Sequence, residues 1–206
     1  MYSADDELIK KCKAGDIEAF EKLIQRYEKK VFTIAYRYMG NKEDADDLAQ
    51  EALIKVYKSI KKFRGESLFT TWLYQIVANV CRDALRKKAR KQETSIDSPI
   101  ITEEGETKRE FGDSSLSPEI LAEKAETEHY LQTLISQLKV EYKVVIIMRE
   151  IQGFSYEEIA EELGCSLGTV KSRLNRARKH LRERIIRDEE LYTDNSRLPS
   201  QKGESR

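Results

Sequence analysis

The apolar residues between Trp72 and Leu85 recur at the spacing of a single face of an α-helix. Another face of the same helix is polar and carries Thr71, Gln75, Asn79, Arg82 and Arg86. A helix with one apolar face must bury that face against other elements. Since the segments on either side repeat the helical period, the sequence predicts an all-α fold.

Aromatic and basic residues flank this helix. Phe63, Phe69 and Trp72 lie beside the polar stretch of residues 64–67, and five of the six residues at positions 86–91 are Lys or Arg. Aromatic rings on which a base can stack, next to cations that bind phosphate, are typical of single-stranded nucleic-acid binding. Aromatic residues at helical spacing are more often core residues, and a charge run is often only a solvated face. Both interpretations therefore stay open at this point, although five adjacent cations repel one another unless a polyanion compensates them.

The charges of the chain are segregated. The 206 residues have a formal net charge of zero, yet residues 171–187 contain eight Lys or Arg and one acid, whereas residues 93–128 contain eleven acids and three bases. A basic segment of this kind favours a polyanionic partner. The chain is long enough for one sizeable core or two small ones, and its segmentation favours two.

Four segments follow from the periodicity. Residues 1–92 are predicted as a helical domain with four helices, the first capped by Ser3, the second running from Asp16 to Gly40, and the third from Lys42 to Lys62. Residues 93–116 lose periodicity and are predicted as a flexible acidic linker. Residues 117–187 form a second small helical domain, and residues 188–206 are predicted as a polar tail.

The second domain contains a helix-turn-helix pattern. Ser155 and Glu158 form a capping box, Gly164 ends a short helix, and Ser166 begins a longer basic helix. Polar and basic residues on the outward face of the second helix are suited to base edges and phosphates in a major groove. They are Thr169, Lys171, Ser172, Arg173, Asn175, Arg176, Arg178 and Lys179.

Chemistry of other kinds is not indicated. Cys12, Cys81 and Cys165 are far apart and form no paired motif, so neither a disulfide framework nor a zinc site is predicted. His129 and His180 lie on separate helices without a nucleophile or paired base, and no phosphate-binding glycine loop is present. The sequence therefore predicts no catalytic residue, no metal and no cofactor. It shows no signal peptide or apolar run long enough to cross a bilayer, which predicts a cytoplasmic protein.

Four blocks of the chain, in order, resemble the extracytoplasmic-function sigma factors of bacterial RNA polymerase, in particular the sigma-E-like group. They are Gly15-Asp16 with Ala19-Phe20, DLAQEALIKVYKSI at 47–60, FRGESLFTTWLYQIVAN at 63–79, and SYEEIAEELGCSLGTVKSRLNRAR at 155–178. Lys139 departs from the family pattern, which often has Pro there. The resemblance implies a stress-responsive transcription initiation factor with region 2 in the first domain and region 4 in the second.

The resemblance also implies partners and site residues. Region 2 binds the clamp helices of the β′ subunit of core polymerase and opens the minus-ten element of promoter DNA, and region 4 binds the β flap and reads the minus-thirty-five element. The implied polymerase-binding residues are Asp47, Leu48, Gln50, Glu51, Ile54, Lys55 and Lys58. Without the resemblance, the sequence would indicate only that the polar residues among them form a solvated face of the third helix. The implied minus-ten residues are Phe63, Arg64, Ser67, Phe69, Thr71, Trp72, Gln75, Asn79, Arg82 and Arg86.

For the minus-thirty-five element, the implied residues lie in and just after the helix-turn-helix from Tyr156 to Asn175. They are Ser166, Thr169, Lys171, Ser172, Arg173, Asn175, Arg176 and Arg178. Members of the family are commonly held off polymerase by an anti-sigma factor, often one anchored in the membrane, so such a partner is expected at the inner membrane face. A second function remains open, a free-standing regulator that binds duplex DNA through residues 155–187. It leaves the segment 63–91 unexplained.

Two interpretations of the acidic linker remain, a passive tether or a segment that folds back onto the basic residues at 82–91 and 171–187. The second predicts that replacing residues 97–113 by a neutral Gly/Ser chain of equal length strengthens binding to a minus-thirty-five duplex at low salt. The gain should disappear at high salt, because screening weakens the competing attraction. Equal affinities of the variant and the wild type at low salt, in a fluorescence anisotropy titration, would leave the linker as a passive tether.

Overall fold

The computed structural model describes residues 5–94 and 118–195, and all regular structure in these residues is helical. This confirms the predicted all-α fold class. Ser3, nearly all of the predicted linker and residues 196–206 lie outside the described residues. The helices are α1 (Asp6–Lys13), α2 (Ile17–Gln25), α3 (Glu28–Met39), α4 (Lys42–Ser59), α5 (Phe69–Thr94), α6 (Pro118–Ser136), α7 (Val140–Ile146), α8 (Tyr156–Leu163) and α9 (Leu167–Asn195). A 3₁₀ turn (Ile60–Lys62) follows α4, and a π-helical turn (Ile147–Ile151) follows α7.

Local signals in the first domain, α1 to α5, set where its helices begin and end. The Asp16 carboxylate accepts a hydrogen bond from the Ala19 amide at 3.0 Å and caps α2. Asn41 caps α4 by accepting from the Asp44 amide at 2.9 Å. Between α3 and α4, Gly40 adopts a φ of +82°, which a residue with a Cβ rarely adopts, and its amide donates to the Tyr36 carbonyl. Side-chain caps of this kind contribute about 1 kcal/mol each.

The helix predicted from Asp16 to Gly40 is two helices, because the chain turns at Arg26 and Tyr27. The amides of both residues donate to carbonyls three residues back, and both side chains reach Asp5 at the start of α1. Arg26 Nη1 lies 2.6 Å from Asp5 Oδ1, and the Tyr27 hydroxyl donates to the other carboxylate oxygen. These contacts hold the start of α1 against the turn between α2 and α3. Burial, together with the hydrogen bond to Asp5, raises the pKa of Tyr27.

The second domain, α6 to α9, has the predicted helix-turn-helix. Ser155 and Glu158 exchange both bonds of the capping box, and Gly164 ends α8 with a φ of +59°. Helix α9 continues to Asn195, so residues 188–195 are helical where a polar tail is predicted. The apolar period continues through Leu181 and Ile185, and Arg184 pairs with Asp188 at 3.4 Å, one helical turn away. The end of α5 at Thr94 lies two residues past the predicted domain boundary at 92.

The two domains share one hydrophobic cluster, where two separate cores are expected from the sequence. Helix α3 contacts both α6 and the π-helical turn. At this boundary Arg37 Nη1 donates to the Glu128 carbonyl at 3.1 Å and to Gln132 Oε1 at 3.3 Å. The largest fully buried side chains come from both domains, namely Tyr38, Leu23, Ile34, Ile60, Leu73, Ile147, Met148, Ile159, Leu174, Val31, Val56 and Val77.

Within residues 5–94 and 118–195, no helix combines the length and the apolar content that crossing a bilayer requires. The same residues contain no group of three or more His, Cys, Asp or Glu side chains arranged to hold a metal ion.

The three thiols differ in burial, which predicts their reactivity. Burial raises the pKa of the Cys81 thiol to about 12. The pKa of the Cys12 thiol is also raised, mainly by burial and to a smaller extent by the nearby Asp16 carboxylate. Cys165, at the turn between α8 and α9, is half-buried. Because the thiolate is the nucleophile, we expect iodoacetamide at pH 8 to alkylate Cys165 first in the native protein. Peptide mass spectrometry checks this.

In guanidinium chloride all three thiols should react, which serves as the control. Equal rates for Cys81 and Cys165 in the native protein would contradict the burial of Cys81 in the core.

Candidate nucleic-acid interface

Two of the predicted base-stacking residues face the interior. Phe63 and Phe69 are 8% and 6% exposed, and their ring centroids lie 5.8 Å apart. Phe63 also packs on Trp72 at 5.2 Å, and Phe69 on Tyr27 at 5.6 Å. In this structure neither ring is accessible to a base, so the predicted minus-ten role of Phe63 and Phe69 has no exposed stacking surface here. The apolar period of a sequence cannot distinguish an aromatic core from an aromatic binding surface.

The loop between the 3₁₀ turn and α5 is what remains accessible here. Arg64 and Ser67 are exposed, and Arg64 pairs loosely with Glu66 at 3.8 Å. Leu68 is 73% exposed, although an apolar residue at this point would ordinarily be assigned to the core. Sequence reasoning missed Leu68, and its position between two polar residues and a helix start was the available signal. Thr71 and Trp72 in the first turn of α5 are half-buried.

The polar face of α5 lies against the second domain. Arg82 Nη2 lies 3.0 Å from Glu162 Oε1, and Arg82 Nη1 donates to the Glu162 carbonyl at 3.2 Å. Gln75 donates to the other carboxylate oxygen of Glu162, and Asn79 accepts from Arg82. These three residues are half-buried rather than outward as predicted from the helical pattern. Periodicity gives the face of a helix that is polar, but it cannot show that another domain covers that face.

The basic end of α5 is exposed at Arg86, Lys87 and Lys88. Arg86 lies 3.9 Å from Asp83, and Lys88 lies 3.2 Å from Asp44 on α4. A hydrogen bond from Asn41, and then the Lys88 ammonium, lower the pKa of Asp44. Arg86 and Lys88 are thus each paired with an acid of the first domain, while Lys87 is exposed to solvent.

Helix α4 presents a mixed face to solvent. Of the predicted polymerase residues, Leu48 is half-buried and the remaining six are exposed, namely Asp47, Gln50, Glu51, Ile54, Lys55 and Lys58. Glu51 and Lys55 pair at 2.8 Å. Ile54 is 53% exposed. Tyr57 has the inward helical spacing of Leu53 and Ile60, yet it is 47% exposed and its ring meets the Phe20 ring edge-on at 4.9 Å. The face therefore has an apolar centre with charged surroundings.

The helix-turn-helix separates its predicted residues into three groups. Lys171, Ser172, Asn175 and Arg176 are exposed on successive turns of α9. Arg173 and Arg178 lean toward α7 and the π-helical turn, where they lie 3.8 Å from Glu141 and 2.6 Å from Glu150.

The third group caps the helix. Ser166 Oγ accepts from the Thr169 amide at 3.1 Å and contacts the Thr169 hydroxyl at 2.9 Å. Both side chains are thus occupied in starting α9. A hydrogen bond with the Tyr142 hydroxyl raises the pKa of the exposed Arg176 side chain.

Two family models match the chain, one in each helical domain. Residues 23–91 match the family model Sigma-70 region 2, and residues 128–181 match Sigma-70, region 4. The chain is 36% identical over 179 residues to the RNA polymerase sigma-H factor of Pseudomonas aeruginosa, covering 85% of this chain and 90% of that protein. It is 36% identical over 184 residues to the ECF RNA polymerase sigma-E factor of Haemophilus influenzae, covering 88% of this chain and 95% of that protein.

A solved structure is similar as well. The sigma factor RpoE of Bartonella quintana, in complex with the anti-sigma factor NepR, is 26% identical with a TM-score of 0.60, covering 80% of this chain and 94% of that one. The two region models occupy the two helical domains in the order that the resemblance implied, and the full-length relatives are matched across the same span. The chain therefore belongs to the extracytoplasmic-function (ECF) family of RNA polymerase sigma factors, which are transcription initiation factors.

Proposed function

We propose that residues 1–92 bind core RNA polymerase and open the minus-ten element, and that residues 117–187 read the minus-thirty-five element of the same promoters. One observation carries the proposal: α9 begins at a capped turn and presents amide, hydroxyl and cationic groups on consecutive exposed turns. Those groups match the donors and acceptors that major-groove base edges offer. The assignment of each residue follows from its neighbours.

For the minus-thirty-five element, Arg176 and Asn175 are the base readers. Arg pairs with the two acceptors of guanine, and Asn with the donor and acceptor of adenine. Arg173 and Arg178 are already oriented by carboxylates of the same domain, which places their guanidinium groups beside the helix rather than beyond it. They suit phosphate contacts, which position a protein on DNA without reading its sequence.

For the minus-ten element, the loop of residues 64–68 contacts the base in place of the buried Phe rings, and Gln75, Asn79 and Arg82 on the polar face of α5 bind the strand. Unstacking a base costs a few kcal/mol, and stacking or enclosing it recovers about 1 to 3 kcal/mol. Melting by the sigma factor alone is therefore near balance, and polymerase supplies the remainder. Arg64 and Ser67 offer polar contacts, and Leu68 and Trp72 offer apolar surface to an extruded base.

Core polymerase binds the exposed face of α4. Interface centres are apolar and often aromatic, with polar groups around them. Ile54 and Tyr57 supply the centre, and Asp47, Gln50 and Lys58 supply the rim. The β flap is the expected contact of the second domain. We also expect an anti-sigma factor as a partner, since the Bartonella relative is a complex of that kind. A factor with these partners acts in the cytoplasm.

The alternative is a free-standing regulator of duplex DNA, and gel filtration with core polymerase separates the two functions. Stoichiometric co-elution supports the sigma assignment. Tight sequence-specific duplex binding, with no co-elution, supports the regulator. Transcription of fragmented genomic DNA by polymerase plus this protein, with mapping of the start sites, then supplies the promoter sequences.

The first prediction of this proposal concerns α4. Replacing Asp47 and Gln50 together by Ala removes rim contacts without touching the core, so we expect polymerase affinity to fall at least about fivefold with unchanged helicity. Surface plasmon resonance and circular dichroism measure the two quantities. The matched control replaces Glu126 on α6 and Gln137 just after it by Ala, which removes one acid and one amide from two exposed positions. An unchanged affinity in the α4 variant would remove that face from the interface.

The second prediction concerns base reading. We expect Arg176→Ala to cost about 1 to 3 kcal/mol of discrimination at one base pair of the mapped minus-thirty-five element. Arg178→Ala is the control, because its guanidinium is held by Glu150, and it should weaken binding equally on all sequences. Competition titrations with single-base variants of the duplex test both. A uniform loss for Arg176→Ala would reassign that residue to phosphate.

A further inference from the structure

The contact between Glu162 and the polar face of α5 joins two parts of the chain that bind DNA in the proposed function. Glu162 lies in α8, the first helix of the helix-turn-helix, and Gln75, Asn79 and Arg82 belong to the proposed minus-ten surface. The carboxylate takes one donor from Arg82 and one from Gln75, on its two separate oxygens. The Arg82 side chain is 14% exposed and that of Glu162 is 10% exposed, so the pair is largely shielded from water.

The Glu162 carboxylate binds the same donors of α5 that a DNA phosphate would bind. Both are anions with oxygens that accept hydrogen bonds from guanidinium and amide groups, and Arg binds either one. Gln75, Asn79 and Arg82 follow one another at the spacing of one helical face, and all three are linked through hydrogen bonds to Glu162 or to Arg82. Donors that are engaged in this way cannot at the same time bind a nucleic-acid strand.

Other contacts hold the domains in the same arrangement. The Tyr38 hydroxyl donates to Gln152 Oε1 at 3.3 Å, and Gln152 Nε2 donates to the Tyr74 carbonyl at 3.1 Å. Gln152 thus connects the turn after α7 to both α3 and α5. Together with the Arg37 contacts to α6, these bonds place α8 over α5.

The closed arrangement is also suited to opening. A buried ion pair recovers little net free energy, because both charges lose their water on burial. Arg82 Nε is buried and has no hydrogen-bond partner, which adds to the cost of closure. Separation of the domains would also expose apolar side chains of the shared hydrophobic cluster, so a partner that binds the separated domains must supply that free energy. A partner that binds either domain more tightly in the open state therefore shifts the balance.

We propose that this chain inhibits itself: in the closed state Glu162 occupies Gln75 and Arg82 in place of promoter DNA, and the two domains must separate before the minus-ten strand binds. The inference rests on the proposed minus-ten role of α5. It identifies Glu162 as a regulatory residue that acts through Arg82 and Gln75 and makes no contact with DNA in the active complex.

The test uses the full chain and a fluorescent single-stranded oligonucleotide with the non-template minus-ten sequence of a mapped promoter. Glu162→Ala should bind the oligonucleotide at least about fivefold more tightly than the wild type. Glu161→Ala is the matched control, since it removes the same charge from an exposed neighbouring position of α8, and it should change the affinity little. Equal affinities of the wild type and Glu162→Ala overturn the proposal, as does an equal gain in Glu161→Ala.

The proposed function itself is tested separately by Arg82→Ala in the assembled holoenzyme. If this variant opens promoters as well as the wild type, α5 does not bind the minus-ten strand, and masking of that surface by Glu162 is then wrong as well. If Arg82→Ala is defective and Glu162→Ala has no effect on oligonucleotide binding by the free chain, the minus-ten role stands and only self-inhibition fails.

Discussion

Burial of the apolar face of α5 is the interaction on which the other features depend. Leu73, Val77, Val80, Cys81 and Leu85 are buried along this face, against α3 and α4. Each fully buried aliphatic side chain contributes about 1.5 to 3 kcal/mol relative to exposure. The same packing determines which way the remaining residues of α5 point. The core thereby sets the direction of Gln75, Asn79 and Arg82, and with it the site where another domain or a nucleic acid can attach.

Much of the fold could be predicted because its signals are local. The capping box at Ser155, the Asp16 cap and the glycines after α3 and α8 are each decided within a few residues, so the sequence shows them directly. The break between α2 and α3 is different, since it depends on Arg26 and Tyr27 reaching Asp5 more than twenty positions away. Periodicity continued through that point and predicted a single helix.

The candidate site was predicted less completely for the same reason. Helical spacing assigned Arg82 correctly to a polar face, but its partner is 80 residues away in sequence, and no local pattern links the two. Two aromatic residues differ from their sequence patterns in opposite directions. Phe63 lies beside a polar loop but is buried, whereas Tyr57 has an inward helical spacing but is exposed. The family resemblance located the segments that matter, whereas the environment of each side chain required the folded chain.

The length of α9 has a mechanical consequence. At 1.5 Å per residue its 29 residues extend about 43 Å, far beyond the helix-turn-helix that its first turns complete. A continuous α-helix transmits bending and rotation with little loss, whereas a loop would absorb them. The Tyr130 hydroxyl of α6 donates to Asp188 at 3.0 Å, so α9 is attached to α6 about three turns beyond Arg176. A tilt of the last turns of α9 would therefore move α6 together with the exposed turns that carry Asn175 and Arg176.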